Sequence, residues 1–165
     1  MLKPEQEAGR SKICEASVAC ERSTGFPAEV SAAQAILESN YLLAMPKDSN
    51  NCFGIKDTNR LPGASYTFTK EFINGTYQTK RLAFEVYPDL TACFTEHARL
   101  LINAGVYRPA WDAYVHDHNL DSFIRGISKH YATDPAYAGK ITKLAHSVPL
   151  TIVIQQLRAS ANQHV

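Results

Sequence analysis

Val30, Ala33, Leu37 and Tyr41 recur three to four residues apart, and Gln34 and Glu38 lie on the flank beside them. That period predicts an amphipathic helix over about 27–42. Pro27 suits its first turn, where a missing N–H costs nothing. A preceding helix is read over 4–23, with Ile13, Ala16 and Ala19/Cys20 on one side. Residues 43–65 carry Pro46, Asp48, Asn50, Asn51, Gly54, Pro62 and Gly63, so they read as loop. Residues 66–73 then alternate as a strand, Asn74-Gly75 forms a two-residue turn, and 76–87 returns. Such a turn sets Ile73 opposite Thr76, Phe72 opposite Tyr77 and Glu71 opposite Gln78. After Pro88 the pattern is helical: about 88–103, stopping near Gly105, then a short helix around Trp111, then 120–131. Asp134-Pro135 reads as an N-cap and first-turn proline opening a helix to about 146. Pro149 opens a last helix carrying Leu150, Ile152, Val153, Ile154 and Leu157. Helices flanking one small hairpin make an α+β fold.

Candidate chemistry centres on Glu38. In the last turns of its helix, a negative charge meets the negative end of the helix dipole. Apolar neighbours such as Leu37 and Leu42 add desolvation, and both effects favour the protonated carboxyl. A carboxyl that stays protonated near neutral pH is what protonation of a glycosidic oxygen needs. The plain alternative is a solvated helical glutamate. The hairpin offers a second carboxylate at Glu71, on a polar face with Thr67, Thr69, Gln78 and Lys80. Tyr66, Phe68, Phe72 and Tyr77 share the other face. Glu71 is either the border of a wet cleft or an ordinary strand residue balanced by Lys70 or Lys80. Asp48 and Asp57 read as turn formers, and Asp89 as a helix start. Tyr131 and Tyr137 flank the Asp134-Pro135 helix start, and each has a flat face for a sugar ring or for core packing. Asn50, Asn51 and Phe53-Gly54 shape a cleft or simply structure their loop. Trp111 reads as core or rim packing.

Length and composition narrow the class. The 165 residues suit one domain, 1–165, and seven Phe, eight Tyr and one Trp furnish a core. A formal net charge of +1 excludes nucleic-acid binding through a basic surface. Cys14, Cys20, Cys52 and Cys93 have no metal-ligand spacing, so no metal and no cofactor is expected. They read as buried free thiols, with a Cys52–Cys93 disulfide left open. No run is long and apolar enough to span a membrane. The polar start Met-Leu-Lys-Pro-Glu-Gln-Glu lacks the apolar segment of a secretory signal. Synthesis in the cytosol, or a domain cut from a longer exported chain, fits that start.

Four ordered segments carry a resemblance covering about residues 26–146. They are Ala33-Gln34-Ala35-Ile36-Leu37-Glu38-Ser39, Asn50-Asn51-Cys52-Phe53-Gly54-Ile55-Lys56, Thr69-Lys70-Glu71-Phe72-Ile73-Asn74-Gly75 followed by Phe84-Glu85-Val86-Tyr87, and Tyr131-Ala132-Thr133-Asp134-Pro135-Ala136-Tyr137-Ala138. In order and spacing they resemble the bacterial glucosaminidase family, glycoside hydrolase family 73, which cleaves peptidoglycan glycan strands and includes a flagellar peptidoglycan hydrolase domain.

The resemblance implies a lysozyme-like fold, a mostly helical body with a small β-hairpin lobe. It implies an endo-β-N-acetylglucosaminidase in which Glu38 protonates the leaving oxygen. Glu71 then activates water or steadies the cationic transition state, unless the substrate's acetamido group assists instead. Tyr41, Asn51, Phe53, Tyr131 and Tyr137 are the implied substrate-binding residues, with Tyr131 beside the scissile bond. The implied partner is peptidoglycan in the cell wall, met by a monomer, and a phage lysin made in the cytosol is one protein of that kind. Asn40, Leu42 and Cys52 depart from the family's usual residues and bear on cleft shape. A lytic transglycosylase and a non-catalytic glycan-binding module are the two rivals.

Overall fold

A first helix, α1 (Pro4–Thr24), opens on Pro4 and closes at Gly25, whose φ of 76° lets its N–H reach Glu21 O. The second, α2 (Ala28–Ser39), is buried on almost every side, since Ala28, Val30, Ala32, Ala33, Ala35 and Ile36 are all enclosed. Its small residues let neighbouring helices approach closely. Leu37, expected on the buried stripe, is 37% exposed. The computed structural model describes residues 2–58, 63–73 and 75–162, with the side chains of 70–73 and 162 excepted.

The sheet is an antiparallel pair, β1 (Ser65–Ile73) and β2 (Thr76–Phe84), in the register expected from the two-residue turn. Phe68, Tyr66 and Tyr77 on one face are exposed. The remaining helices are α3 (Leu90–Asn103), α4 (Arg108–Asp117), α5 (Leu120–Tyr131), α6 (Tyr137–Ala145) and α7 (Val148–Asn162). Helix α1 packs on α2, α3 and α7, while α2 also meets α6. Ile13, Val30, Phe94, Phe123, Ile141 and Ile154 bring six helices into one core. Arg158 of α7 bonds Glu21 of α1 and Glu29 of α2 with two hydrogen bonds each, at 2.6–2.8 Å. Forked guanidinium–carboxylate pairing of this kind fixes geometry as well as charge. Trp111 stacks on Phe26 and meets Phe123 edge-on, the packing role read from its context.

Several boundaries differ from the sequence reading, and β2, read as far as 87, ends at Phe84. Pro27 is the N-cap residue of α2 rather than its first helical residue. Asp134 does not cap α6. It bonds Ala136 N and Lys140 Nζ in a separate turn, and α6 begins at Tyr137. An aspartate that bonds the N–H two residues on forms its own turn and competes with the helix. Finally, α2 stops at Ser39 because Asn40, Tyr41 and Leu42 have φ of 48°, 60° and 71°. A left-handed conformation costs a non-glycine residue roughly 1–2 kcal/mol. Ser39 offsets part of it, since Oγ donates to Ala35 O at 2.6 Å and accepts from Leu42 N at 2.9 Å.

Candidate active site

The loop after α2 is framed by its own asparagines. Asn51 Nδ2 donates to Ile55 O and Glu85 O, and its Oδ1 accepts from Ile55 N, all at 2.8–2.9 Å. Asn50 Nδ2 donates to Tyr87 O at 2.9 Å. These bonds fasten residues 49–57 along the end of β2, with Lys56 bridged to Phe84. Phe53 and Gly54 are thereby held at the base of the hairpin, and Gly54 takes φ 65°. The Asn51 amide makes each of these hydrogen bonds with backbone, so its work is to shape the wall.

A cavity of about 300 Å³ opens between this loop, the end of α2 and the hairpin. Glu38, Met45, Asn51, Phe53 and Phe68 line it, with Thr67 and Thr69 of β1. Among the described residues Glu38 is the carboxylate on its wall. Desolvation by burial raises its pKa, and a hydrogen bond from Tyr137 draws it partly back. Tyr137 Oη donates to Glu38 Oε1 at 3.3 Å and accepts from Gln34 Nε2 at 3.3 Å. Gln34 and Glu38 are one helical turn apart on α2, so one hydroxyl from α6 ties both.

Behind Tyr137 lies Tyr131, its ring stacked at 5.3 Å and 25°. Burial pushes the Tyr131 hydroxyl well above the usual phenol range. Tyr131 Oη bonds His97 Nε2 at 2.9 Å, and the His97 ring stacks on Phe53 at 3.7 Å and 4°. His97 and Gln34 were not nominated from sequence. The available signal for His97 was its place in the buried stripe of α3, with Cys93, Phe94, Ala98 and Leu101.

Of the nominated residues, the fold brings Glu38, Asn51 and Phe53 to the cavity and sets Tyr137 on Glu38, with Tyr131 one ring further back. Tyr41 sits half-buried in the left-handed turn after α2. Glu71 pairs with Gln78 and is the next position after Thr67 and Thr69 on one face of β1, but its side chain lies outside the described residues. All four cysteines are free and buried, and the Cys52 and Cys93 sulfurs are 3.9 Å apart. No group of three or more His, Cys, Asp or Glu among the described residues is placed to hold a metal ion. No helix among them is long and apolar enough to cross a membrane.

The Tyr137 contact makes a pH prediction. A hydrogen bond to the carboxylate favours the charged form, so Tyr137→Phe raises the Glu38 pKa further. A general acid works while protonated, and its activity falls as pH rises through its pKa. The high-pH limb of kcat/KM therefore moves upward in Tyr137→Phe, as a pH–rate profile will read. A downward shift contradicts the assignment.

A helical body, a two-stranded lobe and a glutamate at the end of an enclosed helix define a lysozyme-like domain. Residues 14–150 match the glucosaminidase family, described as mannosyl-glycoprotein endo-beta-N-acetylglucosaminidase, and the chain belongs to that family. It is 33% identical over 137 residues to a probable N-acetylmuramidase of Lactococcus lactis subsp. lactis, covering 78% of this chain and 30% of the relative. It is 34% identical over 129 residues to the peptidoglycan hydrolase FlgJ of Vibrio cholerae, covering 74% and 38% respectively. The chain thus spans about a third of the length of these curated relatives. The fold is that of the catalytic domain of the autolysin Auto from Listeria monocytogenes, with TM-score 0.76 and 24% identity over 93% of this chain and 89% of that one.

Proposed function

We propose that this chain is a peptidoglycan hydrolase that cleaves the β-1,4 bond after N-acetylglucosamine. The observation that carries the reading is the placement of Glu38, a carboxyl with a raised pKa on the wall of an open cavity, within a glucosaminidase-family fold. Glu38 delivers its proton to the glycosidic oxygen as the C–O bond breaks. The sugar left behind carries oxocarbenium character, and the resulting Glu38 carboxylate is received by the Tyr137 hydroxyl. Glu71 activates the attacking water, or the substrate's acetamido oxygen closes on the anomeric carbon first. Phe53 and Asn51 shape the subsite, and Tyr41 and Tyr131 flank it. The chemistry needs no metal or cofactor. The domain acts as a monomer on the extracytoplasmic cell wall.

The identity of the bond is the part most open to test, because the relatives are named both muramidase and peptidoglycan hydrolase. Purified peptidoglycan is digested, reduced with borohydride and analysed by mass. Reduced N-acetylglucosamine ends are expected. Reduced N-acetylmuramic ends assign a muramidase, and anhydro ends, which lack the added water and resist reduction, assign a lytic transglycosylase. No released ends with retained glycan binding leaves a binding module.

Glu71→Gln tests the second acid. A general base contributes roughly 100- to 10,000-fold. Turnover falls by that order with glycan binding retained if Glu71 activates water. Unchanged turnover gives the role to the acetamido group.

A further inference from the structure

His97 is 3% exposed and sits in an otherwise apolar stripe of α3. A phenylalanine would fill that site without burying two ring nitrogens, and buried polar atoms cost stability unless they are bonded. Only one of them is bonded: Nε2 meets Tyr131 Oη at 2.9 Å, and Nδ1 has no hydrogen-bond partner among the described residues. The ring also has two aromatic neighbours. Phe53, on the cavity wall, lies parallel to it at 3.7 Å, and Tyr131 meets it edge-on at 5.7 Å and 83°. Tyr131 in turn stacks on Tyr137, the residue that bonds Glu38. His97 is therefore the shared support of a cavity-wall ring and of the tyrosine pair behind the acid.

Burial holds the ring neutral, with its pKa pushed down to about 3, so one nitrogen carries the proton at neutral pH. The two tautomers differ in consequence. With the proton on Nδ1, a buried N–H is left without an acceptor, and the Tyr131 proton is drawn inward to Nε2. With it on Nε2, the ring donates to Tyr131 Oη and the phenolic proton is free to go to the Tyr137 oxygen, to which Tyr131 is hydrogen-bonded. Buried N–H groups without acceptors are rarer than unfilled acceptors, which favours the second arrangement.

We propose that His97 is a positioning residue: its Nε2–H holds the Tyr131 oxygen so that the Tyr131 hydroxyl donates onward to Tyr137, the tyrosine that supports the Glu38 carboxylate as it forms, and its ring face holds Phe53 in the cavity wall. This deepens the glycosidase reading and rests on it.

Two measurements on the full chain test it. The first is kinetic, on soluble peptidoglycan fragments. His97→Phe keeps a ring against Phe53 and removes the donor, so turnover falls about tenfold with KM little changed, the loss expected for one hydrogen bond used in the transition state. Tyr131→Phe gives a similar loss, and the double variant is no worse than either single one. Partial recovery in His97→Gln, whose amide nitrogen can stand near the Nε2 position, supports the donor role. Wild-type turnover in His97→Phe, or losses that multiply in the double variant, overturn it. A residue that only packs would change thermal stability without this coupling.

The second is a long-range proton–nitrogen NMR spectrum of histidine-labelled wild type, which needs neither activity nor a folded variant. A neutral Nε2–H ring is expected over roughly pH 5 to 8. An Nδ1–H or cationic ring overturns the proposal even in an active enzyme. A wild type inert toward peptidoglycan with His97 still Nε2–H sinks the functional reading, and the link from His97 to the acid with it.

Discussion

Glu38→Gln keeps the fold and loses on the order of 100- to 10,000-fold in glycan release, the usual contribution of a positioned general acid. The carboxamide has the shape of the carboxyl and still accepts from Tyr137, so the neighbouring contacts survive. It cannot deliver a proton. The stability effect has the opposite sign. Burial raises the Glu38 pKa, so the folded state favours the protonated form. A raised carboxyl pKa contributes stability that is present at low pH and lost as pH rises through the folded pKa. At neutral pH the neutral glutamine escapes that loss, and the variant melts no lower than wild type. Muropeptide release and thermal unfolding on one preparation read both effects. A folded variant with near-normal release removes Glu38 from the mechanism.

Gly9→Ala lowers both stability and activity, although alanine is the better helix former by about 1 kcal/mol. Gly9 is buried in α1, and a Cβ there would stand 2.0 Å from Tyr41 O and 2.9 Å from Tyr41 C. Both atoms are backbone, so α1 and the turn at 40–42 must move apart. Overpacking of this kind costs roughly 1–3 kcal/mol and outweighs the propensity gain. A domain of this size loses about 2–4 °C in Tm per kcal/mol. The displaced turn begins two residues after Glu38, so release falls as well. A melting temperature above wild type would show that the contact relaxes freely.

These two residues mark different depths of legibility. Glu38 stood out because a polar residue beside an apolar period, ahead of an Asn-Asn-x-Phe-Gly loop, is a local pattern. Gly9 carried no local signal, because its constraint comes from a carbonyl thirty-two residues away in the chain. The hairpin register was readable for the same reason as Glu38. A two-residue turn fixes every pair outward from it, and Glu71 faces Gln78 as the alternation requires. Helix ends were less readable. The left-handed turn at 40–42 breaks the apolar period that continues through Tyr41, and Asp134 spends its carboxyl on a turn rather than on α6.

The sequence by itself determined the order of helices and the hairpin, the α+β class and the glutamate at the end of the second helix. Each of these follows from interactions within a few residues, where periodicity and turn chemistry act. Only the tertiary structure decided which tyrosine reaches the acid. Tyr131 and Tyr137 have equal local credentials, yet the packing of α6 on α2 puts the Tyr137 hydroxyl 3.3 Å from Glu38. Tyr131 is left to His97 of α3. It likewise set the environment that raises the Glu38 pKa and buried His97 between Phe53 and Tyr131. Desolvation and hydrogen-bond partners depend on which surfaces meet in space, and residues 34, 38, 53, 97, 131 and 137 meet only once the helices have packed.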